Sequence, residues 1–144
     1  MHKIYNHLNS FLKIVDNVKL RKFFQAISFF GSPFFYAPAT AYIGTFNLEL
    51  AINLIAILIS TEAVCAVIKY VYPKKRPIPM PSKTLVQKYL AGSFPSVHTA
   101  RITALSVAVA QSYPNRMFIL IVLLGIISVG YSRIYLKKHY FIDV

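Results

Sequence analysis

His139 and Asp143 stand four residues apart near the end of the chain, a spacing that on a helix puts both on one face with the carboxylate in reach of the imidazole. A carboxylate that holds one ring nitrogen fixes the tautomer and leaves the other nitrogen to act as nucleophile or base. His98 is then available to protonate a leaving oxygen, which divides a transfer into histidine phosphorylation and hydrolysis. Lys69, Arg76 and Arg133 are cations with no nearby carboxylate in the sequence to neutralise them, so they call for an anion of more than one charge. A phosphate monoester fits, because an arginine fork binds two of its oxygens while lysine supplies a point charge. Ser96 precedes an apolar run as an N-cap would, and its hydroxyl and the amides of Val97 and His98 can face the same anion at the positive end of a helix.

These residues are positioned by apolar segments. Hydrophobic residues make up 56% of the 144, charged ones only 14%, a balance outside the soluble norm that points to an all-α, polytopic membrane bundle. Residues 23–46 form a first charge-free run, long enough for a bilayer core and expected to be one span kinked at Pro33 and Pro38. A second run, 48–72, follows with almost no loop and should close a tight antiparallel hairpin. It contains Glu62, which needs a partner inside the bundle, with Lys69 and Arg101 the two candidates. Residues 73–95 are rich in cations and prolines and too irregular to cross lipid. The third run, 97–110, is short; the fourth, 117–136, is the cleanest span, and Gly125, Ser128 and Gly130 would let neighbours approach closely. About four spans result. Residues 1–22 read as an amphipathic interfacial segment, with Ile4, Leu8, Phe11, Leu12 and Val15 at helical spacing among basic residues, and 23–144 as the membrane-embedded bundle.

Chain direction decides whether the polar groups meet. The second span ends at Lys69, the third begins at Ser96 and the fourth ends at Arg133, so all three groups are expected on one side of the membrane. Sixteen Lys and Arg against four Asp and Glu give a formal charge of +12, which suits anionic headgroups or a phosphorylated substrate. Nucleic acid is excluded as a partner, because the cations lie between apolar stretches and not on a polar domain. Cys65 lies alone inside an apolar run, with packing as its expected role.

The same residues carry a resemblance. Lys69, six residues, then Arg76-Pro77; Pro95-Ser96-Val97-His98; and Ser132-Arg133, five residues, His139, three residues, Asp143 resemble the tripartite signature of the type 2 phosphatidic acid phosphatases. The match spans residues 69–143 and departs only at Val97, where the family has Gly. The resemblance implies a membrane lipid phosphatase without metal or other cofactor. It makes His139 the nucleophile that becomes a phosphohistidine, Asp143 its orienter and His98 the general acid. Lys69, Arg76, Ser96, Arg133 and the Val97 amide become the phosphate ligands. Since Val adopts positive φ only at a cost, Val97 is expected at negative φ with its amide still facing the phosphate.

Partners are then a phosphorylated lipid and the bilayer. Candidate substrates are phosphatidylglycerophosphate, phosphatidic acid, undecaprenyl pyrophosphate and the 1-phosphate of lipid A. A lipid phosphotransferase with the same site and a non-catalytic anionic-lipid binder are the alternatives. Most of the cations lie on the side of the site, which by the positive-inside rule would make that side cytoplasmic. The resemblance instead favours the bacterial inner membrane with a periplasmic site. An Asp four residues after a catalytic His should open a further membrane helix, so the native chain is expected to continue into one more span of about 20 residues.

Overall fold

The computed structural model describes residues 17–144; the greater part of the proposed amphipathic segment, residues 1–16, lies outside them. The described residues form six α-helices: α1 (Val18–Phe29), α2 (Pro33–Gly44), α3 (Leu48–Val71), α4 (Leu85–Ala91), α5 (Val97–Ser112) and α6 (Arg116–Tyr135). A single 3₁₀ turn, Phe141–Asp143, follows. Local chemistry sets several starts. The side chains of Asn17, Asn47 and Asn115 each accept from first-turn amides of α1, α3 and α6, supplying partners that the helix itself cannot.

The run expected as one kinked span, 23–46, is two helices. Ser32, ahead of proline, is extended (φ −92°, ψ 154°), and Pro33 sits in the first turn of α2. Proline disfavours helical backbone at the residue before it and suits a helix start, where its missing N–H costs nothing. Pro33 therefore separates two helices, whereas Pro38 lies inside α2. Residues 73–95 are also more ordered than expected, because Thr84 and Gln87 close a reciprocal capping box that starts α4.

Helix α3 packs against α2, α4 and α5, while α6 packs against α5 and α1. Tyr36, Leu54 and Leu105 form the buried apolar centre of α2, α3 and α5. Polarity is inverted relative to a water-soluble fold. Ile52, Ile55, Ile59 and Val67 of α3, and Leu120, Ile121, Leu124 and Ile127 of α6, are exposed, whereas Lys69, Ser96, Thr99, Arg133, His139 and Asp143 are buried. An oily outer surface around a polar interior is what a bilayer solvent selects. Helices α3 and α6, at 24 and 20 residues, are the two described helices long and apolar enough to span it. The third and first expected spans are shorter helices.

Candidate active site

Three helix ends meet as the chain direction requires: α3 delivers Lys69, α5 begins after Ser96, and α6 delivers Arg133 in its last turn. Backbone hydrogen bonds join the segments between them. The Ser93 amide donates to the Lys74 carbonyl at 2.7 Å, and the Ser96 amide to the Asp143 carbonyl at 2.8 Å.

The expected arrangement of His139 and Asp143 is not the one observed. Helix α6 stops at Tyr135, and Lys137 turns the chain through the left-handed region at φ 55°, so the two residues do not share a helix face. The amides of Lys138 and His139 return to the Arg133 carbonyl, which folds His139 beneath the helix end, where it is buried. Its Nδ1 lies 2.6 Å from the Ser93 carbonyl oxygen. A carbonyl only accepts, so Nδ1 carries the proton and Nε2 has the free lone pair. Asp143 instead accepts from the Ser93 hydroxyl, from Lys74 Nζ at 2.5 Å and from the Tyr140 amide at 2.9 Å. The carboxylate therefore orients Ser93, and Ser93 holds the imidazole.

Electrostatics keep this imidazole neutral. Burial first, then the positive charges of Arg76 and Arg133, push His139 down to about 3, against a smaller opposing effect of the Ser93 bond. Asp143 shows the opposite balance. Burial acts to raise its carboxyl, but the hydrogen bonds from Lys74, Ser93 and the Tyr140 amide outweigh it and hold the group below its ordinary range.

Lys69, Arg76 and Arg133 lie close enough to the His139 ring for their charges to act on it. Buried Lys69 donates to the Gly92 carbonyl at 2.6 Å and lies 3.4 Å from the Tyr89 carbonyl. Arg133 Nη1 donates to Ser28 Oγ at 2.6 Å. The Nε donors of Arg76 and Arg133 are buried without a partner in the structure, and unsatisfied buried donors of this kind are costly unless an acceptor is supplied. Ser96 is the N-cap of α5, but its side chain makes no cap bond and accepts from Thr99 Oγ1 at 3.1 Å. The first in-helix amide bond is Ala100 to the Ser96 carbonyl, so the amides of Val97, His98 and Thr99 belong to the open first turn. Val97 is helical and Lys137 is the one non-glycine at positive φ among the described residues, so Val97 has the expected negative φ.

Two glycines set the spacing. A Cβ on Gly31 would lie 2.7 Å from His98 Cβ, and one on Gly92 would lie 3.1 Å from Lys69 Cγ. The turn between α1 and α2 thus presses on His98, and the strand of chain before Pro95 presses on Lys69. Glu62 pairs with Arg101 of α5, one of its two candidate partners, and also accepts from the Tyr89 hydroxyl at 2.5 Å. Arg101 in turn donates to the Gly31 carbonyl at 3.2 Å.

Ser93, Lys74, Gly31 and Tyr89 were not singled out by sequence reasoning. A signal existed for Tyr89, since the Thr84–Gln87 spacing announces the helix that carries it. Ser93 had none, because its contact with the imidazole is made by a carbonyl that every residue possesses.

The family model described as the PAP2 superfamily matches residues 50–144. The chain belongs to the PAP2 superfamily. Two solved structures share the architecture. One is described as the first transmembrane PAP2 type phosphatidylglycerolphosphate phosphatase from Bacillus subtilis (TM-score 0.76, 18% identity, covering 100% of this chain and 78% of that one). The other is Aquifex aeolicus LpxE (TM-score 0.77, 23% identity, covering 96% and 84%). At these identities the likeness establishes the fold, a PAP2 helical bundle. No curated protein matches the chain.

Proposed function

We propose that this chain, a lipid phosphatase of the PAP2 superfamily, hydrolyses the phosphomonoester of a phosphorylated membrane lipid through a phosphohistidine on His139. The observation that carries the reading is the His139 ring, neutral and fixed through Nδ1, beside two buried arginine Nε donors that lack an acceptor.

The phosphoryl group binds between Arg76 and Arg133, with Lys69, the Ser96 hydroxyl and the first-turn amides of α5 as further donors. His139 Nε2 attacks phosphorus as the bond to the lipid oxygen breaks, and His98 gives that oxygen a proton. His98 then takes a proton from water, which attacks the phosphohistidine. The P–N bond breaks and inorganic phosphate leaves. The cations stabilise the charge on the equatorial oxygens in both steps, supplying positive charge that a metal would otherwise bring. The bilayer is the bacterial inner membrane, with the site on the periplasmic face. Phosphatidylglycerophosphate leads the candidate lipids, since one structural neighbour is described as acting on it.

Phosphate release from phosphatidylglycerophosphate, phosphatidic acid, undecaprenyl pyrophosphate and lipid A 1-phosphate, with His139→Ala as control, tests the reading. Release that depends on His139 supports it. Release that survives His139→Ala, or absence of release from every lipid, rejects it, and transfer to an acceptor alcohol in place of water would make the chain a phosphotransferase.

A further inference from the structure

Glu62 and Arg101 lie outside the three motif segments, yet their contacts lead to His98. Arg101 follows His98 by three residues on α5, one turn deeper, and its side chain is only 12% exposed. Its guanidinium serves two elements: Nε donates to Glu62 of α3, and Nη1 donates to the Gly31 carbonyl at 3.2 Å. The carboxylate is fixed from its other side, where it accepts from the Tyr89 hydroxyl of α4 at 2.5 Å. Helices α3, α4 and α5 and the α1–α2 turn are thereby tied at one point.

That turn is the wall behind His98. A Cβ on Gly31 would lie 2.7 Å from His98 Cβ, 3.0 Å from its carbonyl oxygen and 3.1 Å from its Cα, so the Gly31 backbone rests on this residue with no side chain between. Ser28, just ahead of the turn, accepts from Arg133. The segment 28–31 therefore touches a phosphate ligand at one end and His98 at the other, and Arg101 fastens the His98 end.

We propose that Glu62 and Arg101 are positioning residues for His98: through the Gly31 carbonyl they hold the α1–α2 turn against it and so aim its ring at the lipid oxygen it protonates. The inference rests on the phosphatase reading for the proton that His98 gives. Charge alone does not meet the need, because two acceptors on different elements require the fixed spacing of a guanidinium fork, which a lysine ammonium lacks.

A departing lipid alkoxide needs a proton, whereas a nitrophenolate leaves without one, so a displaced general acid harms only the first. The test compares kcat/KM, which covers the steps up to release of the alcohol, for dihexanoyl phosphatidic acid and 4-nitrophenyl phosphate with the purified protein in detergent. Arg101→Lys and Glu62→Ala are expected to lower it about 10–100-fold for the alkyl ester and to leave the aryl ester little changed. Glu62→Gln keeps an acceptor for Arg101 and should stay near the wild type. Glu62→Ala combined with Arg101→Leu separates positioning from stability. It removes the unpaired charge but leaves the Gly31 carbonyl untethered, so the loss on the alkyl ester should persist while the thermal midpoint recovers. Equal losses on the two esters, no loss, or alkyl activity that returns with stability overturns the proposal.

Carbethoxylation by diethyl pyrocarbonate, mapped on peptides, gives a readout independent of turnover. Hydrolysis of neither ester by the wild type would reject the phosphatase reading, and this second readout would still decide the positioning. Faster modification of His98 in Arg101→Lys, with His139 unchanged, supports it. An unchanged rate at His98, or parallel acceleration at both histidines, rejects it.

Discussion

The Ser93 carbonyl oxygen lies 2.6 Å from His139 Nδ1, while the Ser93 hydroxyl donates to the Asp143 carboxylate. One residue thus holds the imidazole with its backbone and is itself held by the carboxylate. Ser93→Ala keeps the carbonyl but releases its tether, so kcat for phosphate release should fall about 10–100-fold with KM little changed, the pattern of lost orientation. Asp143→Asn should do the same. If Asp143 acts through Ser93, the double variant is no worse than the poorer single one, and additive losses in kcat would count against the relay.

The depressed pKa of His139 has a consequence for stability. Its folded value of about 3 lies below the unfolded value of about 6.5, so the unfolded chain binds the extra proton. The contribution of the neutral ring is present above about 6.5 and is lost as pH falls from there towards 3. Thermal midpoints in detergent should therefore be lower at pH 5 than at pH 8, and His139→Gln should narrow that difference. An unchanged difference would show that the ring is not held neutral by its surroundings.

Glu62 and Arg101 pair between α3 and α5. Glu62→Ala leaves a guanidinium unpaired in the bundle and should lower stability by about 1–3 kcal/mol, a value reduced from that of a fully buried pair because Glu62 is partly exposed. Replacing both, as Glu62→Ala with Arg101→Leu, should be milder than Glu62→Ala alone. Unfolding of the purified protein in detergent measures the order.

Gly31 makes way for His98. The 2.7 Å contact that a Cβ would make there is one that real structures avoid, so Gly31→Ala must move the α1–α2 turn or His98. About 1–3 kcal/mol of destabilisation is expected, together with a loss of kcat. Full activity in Gly31→Ala would show that His98 tolerates displacement.

Much of this arrangement was legible because it follows from direction and period. Helices α3, α5 and α6 had to bring Lys69, Ser96 and Arg133 to one end, and they do. The chemistry of Glu62 demanded a partner, and Arg101 supplies it. Legibility failed where backbone took a role normally given to a side chain. The His139–Asp143 spacing suggests a helical pair, but Lys137 at φ 55° ends the helix without the glycine that usually signals such a turn. The Ser93 carbonyl then occupies the place the carboxylate was expected to fill. Pro33 misled in another way, since a proline that begins a helix and one that kinks a helix look alike until the residue before it is seen to be extended.

Covalent phosphorylation of His139 can be trapped by rapid alkaline quench of a single turnover with a phosphorus-labelled lipid monoester, followed by peptide mapping. Label is expected on the peptide carrying His139, attached at Nε2 and absent from His139→Ala. Label on His98 instead, or full turnover with no labelled peptide at any quench time, would contradict it.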